Sequence, residues 1–248
     1  MKLGGLQKFS LLDYPGKVSA IVFTQGCNFR CHYCYNPMLV WPLWQGKVIY
    51  PHQGADTPGE DHKGHPLKEG DLFDFLKKRK GKLDAVVITG GEPTIQKNLP
   101  KFLAKIKAFG FLIKLDTNGS NPEMLKKIVE KNLVDYIAMD LKTSFPNYEA
   151  VCAIKLDLDI LKKSIKIIRE SGIAYEFRTT LIPELVKKED IESLGKEISG
   201  AGVWYLQQFK NASPLVNERF QGKLAYKEEE AEEMRKIALK YVKKCEIR

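Results

Sequence analysis

Six short apolar runs punctuate the chain, and most are followed by a stretch in which apolar residues recur every three or four positions. The runs are Val18–Phe23, Asp84–Thr89, Leu112–Leu115, Val134–Met139, Ala174–Leu181 and Val203–Phe209. Continuous apolar character over so few residues fits strands buried on both faces of a parallel sheet. Between and after them the periodicity predicts helices over residues 70–80, 98–109, 121–131, 157–171, 188–199 and 227–243. Leu99, Phe102, Leu103 and Ile106 share one helical stripe, as do Leu158, Leu161, Ile165 and Ile168. A short strand over residues 4–13 and a turn at Asp13-Tyr-Pro-Gly16 precede the first run, Pro and Gly supplying the bend. Strand followed by helix, six times over, predicts an α/β fold. The arrangement expected is a partial TIM barrel, (β/α)6, with its chemistry at the C-terminal ends of the strands.

One region breaks the pattern. Residues 41–70 open with Trp41-Pro-Leu-Trp44 and continue with Gly, Pro, Asp and three of the four histidines, His52, His62 and His65. Little periodicity survives, so an irregular loop or lid is expected within a single domain spanning residues 1–248. The histidines show no short ligand spacing and read as exposed loop residues rather than a metal site.

Composition narrows the class. A chain of 248 residues, 44% of them hydrophobic, can bury the core of one barrel domain. Five cysteines suit a reducing interior better than a secreted disulfide scaffold. No apolar leader or membrane-spanning run is evident, which leads to the expectation of a cytoplasmic protein without a membrane partner. The formal charge of +9 admits nucleic acid as a partner. The lysines are spread over helical faces, as at Lys77-Lys78-Arg79-Lys80, Lys126-Lys127, Lys162-Lys163 and Lys187-Lys188. A solvated surface of heat-adapted character is the simpler reading, and no RNA-binding aromatic motif accompanies the charge.

The densest chemistry follows the first buried run. Cys27, Cys31 and Cys34 fall in a C-x3-C-x2-C spacing within Thr24–Pro37. Three thiolates on one loop can hold three irons of a [4Fe–4S] cluster and leave the fourth open. Zinc is the competing reading, but it wants a fourth ligand, and His32 lies too close to its neighbour to complete a tetrahedron comfortably. A disulfide would leave one cysteine over. Cys152 reads as an inert packed thiol and Cys245 as a residue near a frayed end, so no second cysteine cluster is present. Three further strand ends carry candidate chemistry. Gly90-Gly91-Glu92-Pro93-Thr94 lets the backbone approach a ligand without a Cβ in the way, although paired glycines are more often a plain turn. Asp116-Thr117-Asn118-Gly119 reads as an ordinary turn from its Asn-Gly pair. Asp140-Leu-Lys142 could equally be an exposed ion pair. Arg178, among apolar neighbours in a strand, calls for an anion, and Gln207 or Gln208 could reach a cofactor or be a satisfied core residue.

The cysteine spacing, with Tyr33 just before the last cysteine, resembles the radical S-adenosylmethionine (SAM) superfamily, and TGGEPT matches that superfamily's GGEP motif. The opening stretch Leu3–Gly16, CNFRCHYCYNP and VVITGGEPT resemble the activating proteins of anaerobic ribonucleoside-triphosphate reductase, with pyruvate formate-lyase activating enzymes as near relatives. The resemblance implies one [4Fe–4S] cluster on Cys27, Cys31 and Cys34, with SAM chelating the open iron. It implies cofactor contacts from Tyr33, Tyr35, Gly90, Gly91, Glu92, Asp116, Thr117, Asn118, Asp140, Lys142 and Arg178, and a monovalent cation near the DTNG and DLK segments. The implied reaction is reductive cleavage of SAM to a 5′-deoxyadenosyl radical, which takes hydrogen from a glycine of a partner glycyl radical enzyme. Flavodoxin or ferredoxin would supply the electron. Two readings stand beside it: a radical SAM enzyme acting on a small molecule, as 7-carboxy-7-deazaguanine synthase does, and a non-enzymatic Fe–S or zinc protein binding nucleic acid.

Overall fold

The computed structural model describes residues 1–40, 67–210 and 214–248. Most of the expected lid at 41–70 therefore lies outside the described residues. The chain divides into two compact units, one made of Met1–Asn28, Asn36–Thr117 and Glu123–Ile137, the other of Phe29–Tyr35, Asn118–Pro122 and Ala138–Arg248.

The first unit opens with an antiparallel pair, β1 (Leu3–Ser10) and β2 (Ser19–Thr24). The Asp13–Gly16 bend between them uses Gly16 at φ +67°, a left-handed conformation that costs glycine nothing. The short helix α1 (Pro37–Val40) and then α2 (Glu69–Arg79) precede β3 (Ala85–Gly90), α3 (Leu99–Ala108) and β4 (Leu112–Thr117). After α4 (Pro122–Glu130) the chain enters β5 (Tyr136–Asp140). β2, β3 and β4 pair in parallel, Ser19 opposite Ala85 and Ala85 opposite Leu112. Their apolar runs are buried as expected: Ala20, Val22, Val86, Ile88, Ile113 and Leu115 have no exposed surface. At the N-terminal end of these strands Tyr14 packs with Ile21, Ala85 and Val87, and its ring tilts against Tyr136 at 5.7 Å. Helix α3 buries the stripe read from the sequence, with Leu99, Leu103 and Ile106 fully covered.

The second unit continues with α5 (Tyr148–Cys152), α6 (Asp159–Glu170), β6 (Ala174–Leu181), α7 (Lys188–Glu197), β7 (Val203–Gln208), α8 (Glu228–Ala238) and β8 (Lys244–Ile247). β6, β7 and β8 are parallel. Strand order in the sheet is that of the chain, β1 to β8. The six expected strands are thus β2 to β7, flanked by β1 and by a strand the sequence did not announce. That strand corrects the reading of Cys245. It sits opposite Trp204 in β8 and is 2% exposed, a core residue rather than one at a frayed end. Helices α2, α7 and α8 begin alike: the main-chain N–H of a lysine donates to an acid three residues on. The pairs are Lys68 with Asp71 at 3.3 Å, Lys187 with Asp190 at 2.8 Å and Lys227 with Glu230 at 3.0 Å. Each acid satisfies one donor at a helix start and sits at the positive end of the dipole. Among the described residues no helix is long and apolar enough to cross a membrane.

Candidate functional site

In the first unit the candidate residues lie where β2, β3 and β4 end. Beyond β2 the chain turns at Gly26, φ +96°, whose N–H donates to Leu39 O at 2.8 Å and whose carbonyl accepts from Glu92 N at 2.8 Å. Gly91 N donates to Thr24 O at 2.9 Å. A Cβ at Gly91 would overlap the Gly26 carbonyl, and one at Gly90, itself at φ +110°, would overlap the Thr24 main chain. The paired glycines are thus required by the chain itself. They let the β3 turn close on the residue preceding Cys27.

Glu92 is 1% exposed and serves that turn: its Oε1 accepts from Thr94 N at 3.0 Å, Thr94 Oγ1 at 2.5 Å and Thr117 Oγ1 at 2.8 Å. The carboxylate caps the 3-10 turn Pro93–Ile95 and ties it to the end of β4. Asp116 and Thr117 are the last residues of that strand rather than part of a loop. Asp116 pairs at 2.8 Å with Lys114, an almost wholly buried lysine that the sequence reading passed over. A lysine so deep needs such a partner. The ammonium also lies 6.0 Å from the centre of the Tyr136 ring.

In the second unit the candidates form a charge cluster and a pinned segment of the cysteine loop. Asn118 makes an Asx turn, its side-chain oxygen accepting from Ser120 N at 2.9 Å. Gly119, φ +75°, leaves room for Met139, and its carbonyl accepts from Ser164 Oγ at 2.6 Å. At the end of β5, Asp140 binds two cations: Lys142 Nζ at 2.9 Å and Arg178 Nε at 2.7 Å. The DLK pair is therefore part-buried structure, not a solvated pair, and Asp140 is the anion that Arg178 calls for. Burial would raise the Asp140 carboxyl, but Arg178 and Lys142 overcome it and hold the group well below the usual carboxylate range. Burial likewise opposes the charge on Lys142, and Asp140 above all, then Tyr33, keep its ammonium titrating well above the ordinary lysine value. Lys142 N also donates to Tyr148 Oη at 2.9 Å.

Segment 29–35 is gripped from two sides. Arg30 N donates to Cys152 O at 2.9 Å and His32 N to Val151 O at 3.1 Å. Asn217 N donates to His32 O at 3.0 Å and Val216 N to Cys34 O at 3.2 Å. The His32 ring stacks on Phe220 at 5.8 Å, and its Nδ1 lies 3.2 Å from Asn217 Nδ2. Tyr35 stacks on Phe209 at 5.8 Å while its hydroxyl accepts from Lys210 N at 2.8 Å. Tyr33 is 4% exposed, and its hydroxyl has no hydrogen-bond partner among the described residues. The neighbouring Cys152 thiol, then burial, pushes the Cys31 thiol well above its ordinary value. Gln208 Nε2 donates to Tyr226 O at 3.2 Å, a structural use. The sequence reading missed Val151, Cys152, Val216, Asn217 and Phe220, because nothing local marks a residue whose partner lies more than a hundred positions away.

Among the described residues no three His, Cys, Asp or Glu side chains are arranged as a ready metal site. The donors nonetheless suit an iron–sulfur group: three cysteines at cluster spacing, a cation beside Cys31, and a buried hydroxyl on Tyr33 still to be satisfied. Comparison with known proteins decides the family. Residues 21–196 match the model of the radical SAM superfamily. This chain belongs to the radical SAM superfamily. Over 251 aligned residues, 99% of this chain and 95% of the relative, it is 34% identical to a Methanocaldococcus jannaschii protein, MJ1227, assigned by name as a glycyl-radical enzyme activating enzyme. It is 28% identical to the pyruvate formate-lyase-activating enzyme of Streptococcus mutans over 77% of this chain and 70% of that enzyme. Among solved structures, Streptococcus suis SuiB bound to its precursor peptide SuiA matches with a TM-score of 0.62 at 15% identity, over 91% of this chain and 48% of that one. The last likeness bears on fold alone. As a radical SAM protein of the activating-enzyme branch, the chain is an enzyme whose family implies a [4Fe–4S] cluster and SAM.

Proposed function

We propose that this enzyme cleaves SAM reductively and abstracts hydrogen from a glycine Cα of a partner glycyl radical enzyme, anaerobic ribonucleotide reductase being the partner class favoured. The observation that carries the reading is the match along nearly the whole chain to a relative named for glycyl-radical enzyme activation. Cys27, Cys31 and Cys34 would hold the cluster. When bound, that cluster supplies the electron that opens the SAM sulfonium to methionine and a 5′-deoxyadenosyl group. A glycine suits the hydrogen transfer because no side chain shields its Cα and the resulting radical is stabilised by its flanking amides.

The chain's own part is to bind and orient. Two cations, Lys142 and Arg178, face two carboxylates, Asp140 and, 3.9 Å from Arg178, Glu176. Asp140 fixes the geometry in which Lys142 and Arg178 would meet the SAM carboxylate. Tyr33 brings a hydroxyl with no partner among the described residues, suited to a polar atom of the nucleotide. Asp116 and Thr117 end β4 in the first unit, where Gly90, Gly91 and Glu92 set the start of the cysteine loop; Tyr35 and Asn118 belong to the second unit. A monovalent cation beside Asp116 or Asp140, a flavodoxin or ferredoxin donor, and a cytoplasmic setting complete the proposal.

The test is anaerobic reconstitution with iron and sulfide, followed by reduction in the presence of SAM and a candidate partner. 5′-Deoxyadenosine, together with an organic radical doublet that disappears when the partner glycine is replaced by alanine, is the expected result. 5′-Deoxyadenosine without any partner radical would turn the reading toward a small-molecule substrate. No cleavage at all would remove the enzymatic reading.

A further inference from the structure

The loop that carries Lys142 beyond β5 is held by nearby main chain and by one buried acid of another element. Leu141 N donates to Arg178 O at 2.8 Å and Lys142 N to Tyr148 Oη at 2.9 Å. Thr143 has no exposed surface, and its hydroxyl donates to Leu185 O at 3.2 Å. Ser144 and Asn147 both turn to Asp190, in the first turn of α7. Ser144 Oγ and Asn147 Nδ2 donate to the same oxygen, Asp190 Oδ1, the latter at 2.8 Å. The other oxygen, Oδ2, accepts from Lys187 N at 2.8 Å and caps the helix. One carboxylate, 5% exposed, thus joins the loop after β5 to the loop after β6.

Burying that carboxylate is costly unless its lone pairs are occupied, and three donors with the positive end of α7 answer the need. Capping alone does not call for burial: Asp71 and Glu230, which cap α2 and α8 in the same way, are exposed. What sets Asp190 apart is the loop it grips. That loop starts from Lys142, whose ammonium lies 2.9 Å from Asp140. A lysine stem is flexible, so where its ammonium can reach is decided by where its main chain stands.

We propose that Asp190 is a positioning residue for Lys142: by binding Ser144 and Asn147 it places the loop from which the Lys142 ammonium reaches the carboxylate of SAM. The inference rests on the reading in which Lys142 meets that carboxylate, and adds the group that holds the lysine in place. A helix cap with no part in ligand binding is the competing role for Asp190. The two roles are separable because the two oxygens serve different partners.

SAM binding is measured by equilibrium dialysis on the anaerobically reconstituted full-length protein, without reductant, so that no SAM is cleaved. Circular dichroism reports the folding of each variant, and iron and sulfide content its cluster loading. Ser144→Ala combined with Asn147→Ala removes the loop's two donors and leaves the cap on Lys187 N in place. This pair should keep native helix content and cluster loading while its Kd for SAM rises about fivefold, a modest coupling between neighbouring groups. Asp190→Asn should weaken SAM binding at least as much. Lys142→Met should itself weaken binding, and adding the Ser144→Ala and Asn147→Ala pair to it should change nothing further. Native SAM affinity in the folded pair variant overturns the proposal. So does a further loss of equal size in the Lys142→Met background, which marks a general loosening of the fold. If the pair does not fold, Asn147→Ala alone, at an exposed position, carries the test with an expected rise in Kd of about twofold, and no rise overturns the proposal. Native affinity in Lys142→Met would instead bring down the reading of Lys142 as a SAM contact, which keeps the two failures apart.

Discussion

The turn at Gly90-Gly91 and the charge cluster at Asp140 answer the same demand, to fix functional groups at strand ends, with different physics. In the first unit the work is done by main chain and shape. Gly26, Gly91 and Glu92 interlock through N–H and carbonyl groups, with no room for a Cβ at either glycine of the pair. In the second unit, one carboxylate organises two cations within 3 Å, and the thiol of Cys31 lies under the influence of the same lysine. Geometry set by packing is all or none, because a close-packed backbone has no graded way to admit an extra methyl group. Geometry set by charge can be graded, and it answers to pH.

The sharpest way to break this contrast is Gly91→Ala. The added methyl meets the Gly26 carbonyl, so we expect a loss of about 3 kcal/mol in chemical denaturation, with iron uptake failing alongside. A variant as stable as the native chain would show that the turn is not built by packing. Asp140→Asn comes next. It leaves Lys142 and Arg178 without their shared anion, a cost of about 2 kcal/mol at neutral pH once partial exposure of the site is allowed for.

The pH dependence of that cost gives the sign. The Asp140 carboxyl is held down in the folded protein, so its stabilisation is present above its unfolded value of about 3.9 and is lost as pH falls below that toward the folded value. The gap in melting temperature between native protein and Asp140→Asn should therefore be widest near neutrality and narrow below about pH 4. A gap independent of pH would assign the role of Asp140 to shape. Glu92→Gln keeps an acceptor oxygen while removing its charge, and should cost about 1 kcal/mol in chemical denaturation. Smallest of all is Tyr33→Phe. The hydroxyl has no partner among the described residues, so melting should be unchanged within error, whereas SAM binding measured by calorimetry should weaken.

Much of this framework could be read from the pattern of residues. The apolar runs marked β2 to β7 because a strand covered on both faces must be apolar along its length, and the β6 limits, Ala174–Leu181, agree end to end with the run. What escaped was short or distant. β8 has four residues with two charges among them, too little for any periodicity, and it is a strand only because β7 lies beside it. α5 was hidden for the same reason, and with it the main-chain bonds from Arg30 and His32 to Cys152 and Val151. Lys114 looked like any lysine in a basic chain until its burial against Asp116 was known. The glycines of the GGEP segment were recognised, but the groups they accommodate belong to the protein's own main chain, which a motif cannot state.

Gly26 is engaged through both faces of its peptide links, its N–H to Leu39 and its carbonyl to Glu92, and neither bond involves a metal ligand's side chain. The footing of the cysteine loop is thus set by main-chain groups rather than by the thiols it carries.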